Sequence, residues 1–179
     1  EPGVKAIYPE GFETVVTVPE ISRRWEGEIR PHHFAGVATV VTTLFGMVRP
    51  DVAVFGQKDF QQAALVRRVI EDLNLGVKLI VHPTVRERDG LAMSSRNVYL
   101  SETDRTLAPI LYKSLQAGAA AIKDGTTAGR KIQSMMTQVL RRESAATVDY
   151  LAVCDPGTLT PLESVSDRAV LLGAIRIGN

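Results

Sequence analysis

Two polar stretches of this sequence combine residue types that bind phosphate groups. The first, Gly56-Gln57-Lys58-Asp59, follows the apolar run Val52 to Phe55. Gly56 would let a ligand approach the backbone, a following helix would present unpaired N–H groups, and Lys58 adds a mobile positive charge. Asp59 is either the N-cap of that helix or a residue that faces the ligand or its metal. The turn suits a nucleotide; the alternative is a solvated surface lysine, since it is neither a Walker loop nor a dinucleotide fingerprint.

The second stretch is Met93-Ser94-Ser95-Arg96-Asn97, which follows the charged turn Arg86 to Gly90. Two hydroxyls and a guanidinium in succession can donate several hydrogen bonds to phosphate oxygens, and arginine can do so with two parallel bonds. The alternative interpretation is a surface loop ahead of the next helix.

A strand, a helix and a second strand are predicted to position the first stretch. Val52 to Phe55 has the composition of a strand, and Val77 to Val81 that of a second, buried strand. An amphipathic helix between them has its apolar positions at Ala64, Leu65, Val66, Val69, Ile70 and Leu73. This βαβ unit predicts a parallel sheet, in which ligands bind beyond the carboxyl ends of the strands. Gly56 to Gln62 therefore lies where a site is expected.

Composition narrows the class of protein. The 179 residues are 45% hydrophobic, which is enough for a core in one or two small domains. A net charge of +1 gives no electrostatic argument for a nucleic-acid or membrane partner. The single cysteine, Cys154, excludes an internal disulfide and fits a reducing cytoplasm. The longest apolar stretch, Phe34 to Val48, is too short to span a bilayer.

Upstream of the βαβ unit we predict an edge strand and a helix. Glu13 to Val18 alternates loosely and ends at Pro19, which is typical of a short edge strand, one that subunits could share. Phe34 to Val48 has apolar residues at helical spacing, and Arg49-Pro50 should end that helix. In the simplest interpretation, His33 only begins it.

After Pro83 the pattern changes to helices followed by two strands, which predicts a small α+β domain. Ser101 is the predicted N-cap of a helical run that Pro109 divides. A further helix is expected from about residue 128 to 142. The predicted strands are Val148 to Val153 and Ala169 to Ile177, and Asp155-Pro-Gly-Thr is a turn between them.

Four motifs together resemble one known family. They are His33-Phe-Ala-Gly36, Phe55-Gly-Gln-Lys-Asp-Phe-Gln-Gln62, Pro83-Thr-Val-Arg86 and Asp89-Gly-Leu-Ala-Met-Ser-Ser-Arg-Asn97. In this order and spacing they are similar to those of the pantothenate synthetases, or pantoate:beta-alanine ligases. The resemblance implies an α/β fold. Residues 1–84 would form the C-terminal part of a Rossmann-like, parallel-sheet nucleotidyl transferase domain, and residues 85–179 a small α+β domain covering the active site.

The resemblance also assigns roles to residues. It places ATP against Gly56, Gln57, Lys58, Asp59, Met93, Ser94, Ser95, Arg96 and the backbone of Val85. Among these, Lys58, Ser94, Ser95 and Arg96 would act on the phosphates and the transition state. Pantoate would contact Gln62, His33, Val40 and Val41, with Arg30 a weaker candidate. Mg²⁺ is expected to accompany ATP, and no residue is assigned as its ligand. Gln57 stands where many relatives have glutamate, which removes a charge near the nucleotide.

The implied reaction condenses pantoate with beta-alanine through a pantoyl adenylate and releases AMP and pyrophosphate. A cytoplasmic homodimer acting on small molecules is what the resemblance suggests. The family also carries an N-terminal His-x-Gly-His motif, whereas the histidines here are His32, His33 and His82. We therefore expect the chain to begin inside a domain and to be inactive or severely impaired alone.

Two other classes of function are also compatible with the sequence. One is a non-catalytic nucleotide-binding or assembly module that binds ATP or AMP without turnover. The other is a different adenylate-forming nucleotidyl transferase related to the aminoacyl-tRNA synthetases, whose mobile loop resembles Met93 to Arg96. The lack of a basic face argues against a tRNA partner.

Overall fold

The computed structural model describes residues 3–143 and 145–178, which form two compact units. The first unit ends at Pro83 and the second begins at Thr84. Within the described residues, every helix is too short or too polar to cross a bilayer.

The first unit opens with three one-turn helices and one long helix. They are α1 (Val4–Ile7), α2 (Pro19–Ser22), α3 (Glu26–Ile29) and α4 (His33–Val48). The helix predicted at Phe34 to Val48 is confirmed as α4, with His33 added at its start. It ends because Arg49 adopts a left-handed conformation (φ 50°) directly before Pro50.

The predicted βαβ unit is confirmed. Strands β1 (Val52–Gly56) and β2 (Lys78–His82) pair in parallel, from Val52 opposite Lys78 to Gly56 opposite His82. Helix α5 (Phe60–Asp72) forms the crossover and buries most of the apolar side that the spacing predicted, including Leu65, Val66 and Val69, whereas Leu73 follows its end and is 48% exposed.

One expectation about these strands was wrong. The second strand was expected to be buried, yet exposure alternates along both strands. Val54 is 63% exposed and Ile80 is 42% exposed, whereas Phe55 and Val81 on the other face are more shielded. Helix α5 contacts β1, and in the described part of the chain the exposed positions of both strands lie on one face of the sheet, so that face meets solvent while the other is partly covered.

The edge strand expected at Glu13 to Val18 is also wrong. Residues 12–18 lie outside any strand of the described structure. The backbone N–H of Val16 donates instead to the hydroxyl of Thr39 on α4, at 2.9 Å. A helix side chain therefore satisfies a backbone group of this segment that would bond to a neighbouring strand in a sheet.

The second unit has the predicted order of helices followed by strands. Its elements are α6 (Glu102–Leu107), α7 (Ile110–Lys123), α8 (Gly129–Leu140), β3 (Ala146–Cys154) and β4 (Val170–Ile177). Strands β3 and β4 are antiparallel, with a register shift between Val148 and Tyr150. Ile132, Met136 and Leu140 of α8 join the strand residues Leu151 and Val153 in one buried cluster.

The helix cap, the proline break and the turn that the sequence predicted in this unit are confirmed. The hydroxyl of Ser101 accepts a hydrogen bond from the N–H of Asp104 at 3.1 Å, which caps α6. Pro109 separates α6 from α7 as expected.

In the turn after β3, Oδ1 of Asp155 accepts from the N–H groups of Gly157 (2.9 Å) and Thr158 (2.7 Å). These bonds, led by that from the Thr158 N–H, lower the pKa of the Asp155 carboxyl.

Replacing Gly27 by alanine is expected to destabilise the first unit. An added Cβ would lie 1.7 Å from the carbonyl oxygen of Ser22, so the backbone would have to move, at a cost of about 2 kcal/mol or more. The control is Gly46→Ala in α4, where a Cβ meets nothing within 4 Å and stability should rise by about 0.5–1 kcal/mol. Urea unfolding followed by the fluorescence of Trp25, the single tryptophan, measures both. Equal effects of the two variants would contradict the steric argument.

The stability of the second unit should depend on the ionisation of Asp155. Because its pKa is lowered in the folded state, the carboxylate stabilises the fold above the unfolded pKa of about 4 and loses that contribution as pH falls through the folded value. Asp155→Asn should therefore flatten the fall in urea midpoint below about pH 4, followed by far-UV circular dichroism. Asp167→Asn, at a side chain that is 85% exposed, should leave the profile unchanged. Identical profiles for the wild type and Asp155→Asn would refute the assignment.

Candidate functional site

The turn after β1 leaves open space beside its backbone. Gly56 ends the strand in an extended conformation (φ −80°, ψ 136°), and a Cβ added there would meet nothing within 4 Å. A single turn of 3₁₀ helix, Gln57–Asp59, leads into α5 at Phe60. A ligand can therefore approach both Gly56 and the start of α5.

Lys58 and Asp59 present opposite charges at this turn. The ammonium of Lys58 lies 3.5 Å from Oδ1 of Asp59, and the two side chains are 42% and 63% exposed. Exposed pairs of this kind contribute about 0–1 kcal/mol, so the pairing leaves Lys58 available to an anion. Asp59 occupies the N-cap position of α5, but its side chain makes no capping hydrogen bond. The first N–H groups of α5 are therefore not satisfied by that carboxylate, which favours anion binding at this helix start.

The four residues predicted to contact pantoate lie on two helices that pack together. Gln62 is half-buried in the first turn of α5. His33 is the first residue of α4, and Val40 and Val41 follow two turns later. Val40 is half-buried, whereas Val41 is only 9% exposed. Because α4 contacts α5, the first unit brings these positions onto neighbouring elements.

Gln61 is a polar residue that sequence reasoning missed. It is 5% exposed, and its Nε2 donates to the carbonyl oxygens of Ile21 (2.8 Å) and Arg24 (2.7 Å). Its Oε1 accepts from the N–H of Glu26 at 3.3 Å. One buried amide thus joins the α2–α3 segment to the start of α5, directly beside Gln62. Helical spacing indicated that Gln61 is buried, because it precedes the buried Leu65 by one helical turn.

The second predicted stretch begins with a capped turn. The hydroxyl of Ser94 accepts from the N–H of Arg96 at 3.3 Å and caps the 3₁₀ helix Ser95–Tyr99. Met93, Ser95 and Arg96 are exposed. The N–H of Met93 donates to the carbonyl of Val85 at 3.0 Å, so the structure links two of the positions assigned to ATP.

A short hairpin precedes these residues. Arg86 and Ala92 form an antiparallel bridge, and the N–H of Glu87 donates to the carbonyl of Leu91 at 2.8 Å. Asp89 at the tip forms an ion pair with Arg105 of α6. The hydrogen bond from Arg105, followed by that from the N–H of Leu91, lowers the pKa of Asp89, and the same pair raises the pKa of Arg105.

The structure therefore groups the predicted site residues in two sets. Gly56, Gln57, Lys58, Asp59 and Gln62 lie at the β1–α5 turn of the first unit, with His33, Val40 and Val41 on the neighbouring α4, whereas Val85 and the Met93 to Arg96 stretch lie on either side of the hairpin of the second. Among residues 3–143 and 145–178, no cluster of three or more His, Cys, Asp or Glu side chains could hold a metal ion. What the two turns offer is cationic and hydroxyl donors for an anionic ligand.

Comparison with known proteins identifies similar sequences. The sequence model described as pantoate-beta-alanine ligase matches residues 1–179. Pantothenate synthetase from Herpetosiphon aurantiacus is 46% identical over 178 residues, which cover 99% of this chain and 64% of that protein. Pantothenate synthetase from Rhizobium johnstonii is also 46% identical, over 99% of this chain and 59% of that protein. The chain thus spans less than two thirds of the length of these relatives.

Solved structures agree in fold. Pantothenate synthetase from Thermus thermophilus matches with a TM-score of 0.94 and 45% identity, over 98% of this chain and 64% of that chain. The pantoate-beta-alanine ligase from Francisella tularensis, complexed with beta-gamma ATP and beta-alanine, matches with a TM-score of 0.70 and 29% identity. That match covers 97% of this chain and 58% of that chain. The expected α/β fold is confirmed by these matches.

Gln61 and Gln62 should respond differently to the same substitution. Gln61→Leu removes the donors to Ile21 and Arg24 and should lower the unfolding free energy of the first unit by about 1–3 kcal/mol. Gln62→Leu, at a half-buried neighbour, should change it by less than about 0.5 kcal/mol. Urea unfolding followed by Trp25 fluorescence compares the two variants. A loss for Gln61→Leu no larger than that for Gln62→Leu would exclude a stabilising role for the buried amide.

Proposed function

The chain belongs to the pantoate-beta-alanine ligase family, and on that premise we propose that its activity is the ATP-dependent condensation of pantoate with beta-alanine. The observation that carries the proposal is the turn after β1. There an open backbone at Gly56, a helix start without a side-chain cap and the exposed Lys58 form a site suited to phosphate groups.

The first step forms an acyl adenylate. A carboxylate oxygen of pantoate attacks the α-phosphorus of ATP, the bond from that phosphorus to the bridging oxygen breaks, and pyrophosphate leaves. The substrate itself is the nucleophile, so the protein has to align the reactants and neutralise charge on the phosphates. The two turns offer donors of that kind and no activated nucleophile of their own.

The second step forms the amide bond. The neutral amine of beta-alanine attacks the acyl carbon of pantoyl adenylate, and the bond from that carbon to the AMP oxygen breaks. Pantothenate and AMP are released, together with the proton that the amine nitrogen loses. The Francisella tularensis relative, complexed with beta-gamma ATP and beta-alanine, supports substrates of this class.

ATP contacts are assigned to both turns. Lys58, Ser94, Ser95 and Arg96 stabilise the phosphates and the transition state, since each carries a cation or a hydroxyl donor. Gly56, Gln57, Asp59 and Met93 border the nucleotide, and Val85 contacts its adenosine part through the backbone.

Pantoate contacts are assigned to the paired helices α4 and α5. The amide of Gln62 can donate to one oxygen of pantoate and accept from its hydroxyl. His33, Val40 and Val41 border the same ligand, and the half-buried positions of Gln62 and Val40 support this assignment.

Three further features belong to the proposal. Mg²⁺ would accompany ATP and shield the charge of its phosphates, and Asp59, the one carboxylate of the turn, could face it. The active protein is a homodimer, and it works in the cytoplasm. Nucleic acid and membrane are not partners.

The test is pantoate-dependent exchange of labelled pyrophosphate into ATP, which isolates the first step. It is run on the 179-residue chain and on a chimera in which this chain is joined to the part of the Thermus thermophilus protein that it does not cover. Pantoate-dependent exchange in the chimera supports the proposal. Stimulation by an amino acid but not by pantoate would identify a different adenylate-forming transferase, and ATP binding without exchange in either protein would identify a non-catalytic module.

Lys58→Ala should lower the exchange rate of the chimera by about 100-fold or more, as expected for a preorganised charge that acts on a transition state. The matched control is Lys78→Ala, because Lys78 is exposed at the opposite end of the sheet, in register with Val52. Its exchange rate should stay within about threefold of the unsubstituted protein. A loss below about threefold for Lys58→Ala would assign Lys58 to the solvated surface.

A further inference from the structure

Arg86 and Tyr112 form a stacked pair outside the residues assigned to substrates. The guanidinium carbon of Arg86 lies 3.9 Å from the centroid of the Tyr112 ring on α7. Its Nη1 also donates to the carbonyl of Gly90 at 3.0 Å. Arg86 thereby connects the tip of the hairpin to a helix through a cation–π contact and a hydrogen bond.

Gly90 rests against the same ring. It has a left-handed conformation (φ 98°), and an added Cβ would lie 2.3 Å from Cδ1 of Tyr112. The hairpin tip therefore needs a glycine both for its conformation and for its close approach to Tyr112. The aromatic ring contacts the hairpin at two points, Arg86 and Gly90.

A second attachment lies beside the first. Asp89 pairs with Arg105 of α6 and accepts from the N–H of Leu91 at 3.1 Å. The hairpin is thus held to α6 by an ion pair and to α7 by the ring of Tyr112.

The hairpin in turn holds the start of the predicted phosphate-binding stretch. The N–H of Met93 donates to the carbonyl of Val85, and Nδ2 of Asn97 donates to the carbonyl of Ala92 at 3.1 Å. These bonds tie both ends of the Met93 to Arg96 stretch to the hairpin. A displacement of the hairpin would therefore move Ser95 and Arg96, whose side chains are exposed.

We propose that Arg86 and Tyr112 are positioning residues that hold Met93 to Arg96 in the geometry needed for phosphate contact. The expected effect of these two residues on catalysis rests on the function proposed above, whereas their effect on the conformation of Met93 to Arg96 does not. Neither acts on the substrate; both act through the hairpin. Because small misplacements of catalytic groups cost large factors in rate, loss of the stack should lower turnover more than ATP affinity.

The first measurement is amide hydrogen exchange in the 179-residue chain without ligand. Tyr112→Leu removes the π face, and Tyr112→Phe keeps it. Exchange at Met93 and Asn97, whose N–H groups donate to Val85 and Ser94, should accelerate at least about tenfold in Tyr112→Leu and less than about threefold in Tyr112→Phe. The amide of Met136, which is fully buried on α8, reports whether the unit is still folded. If Tyr112→Leu fails that check, Arg86→Gln removes the same stack from the other side.

The second measurement is pyrophosphate exchange in the chimera. Tyr112→Leu should lower kcat at least about tenfold with less than about a threefold change in KM for ATP, and Tyr112→Phe should restore kcat. A purely structural role would leave kcat unchanged once the protein is folded.

The outcomes of these measurements distinguish the positioning role from the proposed function. Unchanged amide exchange at Met93 and Asn97 in a folded Tyr112→Leu or Arg86→Gln variant would overturn the positioning role. Faster amide exchange with unchanged kcat would overturn its catalytic consequence. An unsubstituted chimera without pantoate-dependent exchange would refute the proposed function, while the amide exchange would still decide the positioning of the stretch.

Discussion

The first unit depends on the parallel pairing of β1 with β2. Parallel strands cannot be joined by a tight turn, so the chain must cross over the sheet, and α5 is that crossover. The register sets Gly56 opposite His82, so both strands end at one edge and the chain has to turn into α5 there. The strand pairing therefore determines where Lys58 lies, more than the local conformation of its turn does. The same pairing places the start of α5 at the carboxyl edge of the sheet.

Features governed by neighbouring residues were predictable from the sequence. The apolar period of α5, the Ser101 cap and the break at Pro109 each depend on a few consecutive positions, and the structure confirms them. The proposal that the two turns bind phosphate has the same local basis, since it rests on residue types in succession. The roles of Gln57, Gln62 and His33 rest on the family resemblance, because composition and spacing alone left His33 as a helix start.

What could not be predicted depends on partners distant in sequence. Gln61 bonds to Ile21 and Arg24, and no local pattern identifies those carbonyls as its acceptors. Arg86 is one charge in a polar turn until Tyr112 is placed beneath it. The edge strand at Glu13 to Val18 failed for a related reason: alternation describes a segment able to pair, whereas pairing also needs an available neighbour, and Thr39 accepts the N–H of Val16 instead.

In both units, the exposed side chains suited to phosphate differ from the buried or packed side chains that hold the local backbone. The side chains with the charge or hydroxyl to meet phosphate, such as Lys58 and Arg96, are exposed, which keeps the cost of desolvating them low. Such side chains alone would be poorly preorganised. The buried amide of Gln61 joins the start of α5 to the α2–α3 segment in one unit, and the ring of Tyr112 contacts the hairpin before Met93 to Arg96 in the other. For the reaction proposed above, whose nucleophiles come from the substrates, that division would be sufficient, because the proposed contribution of the protein is alignment and charge.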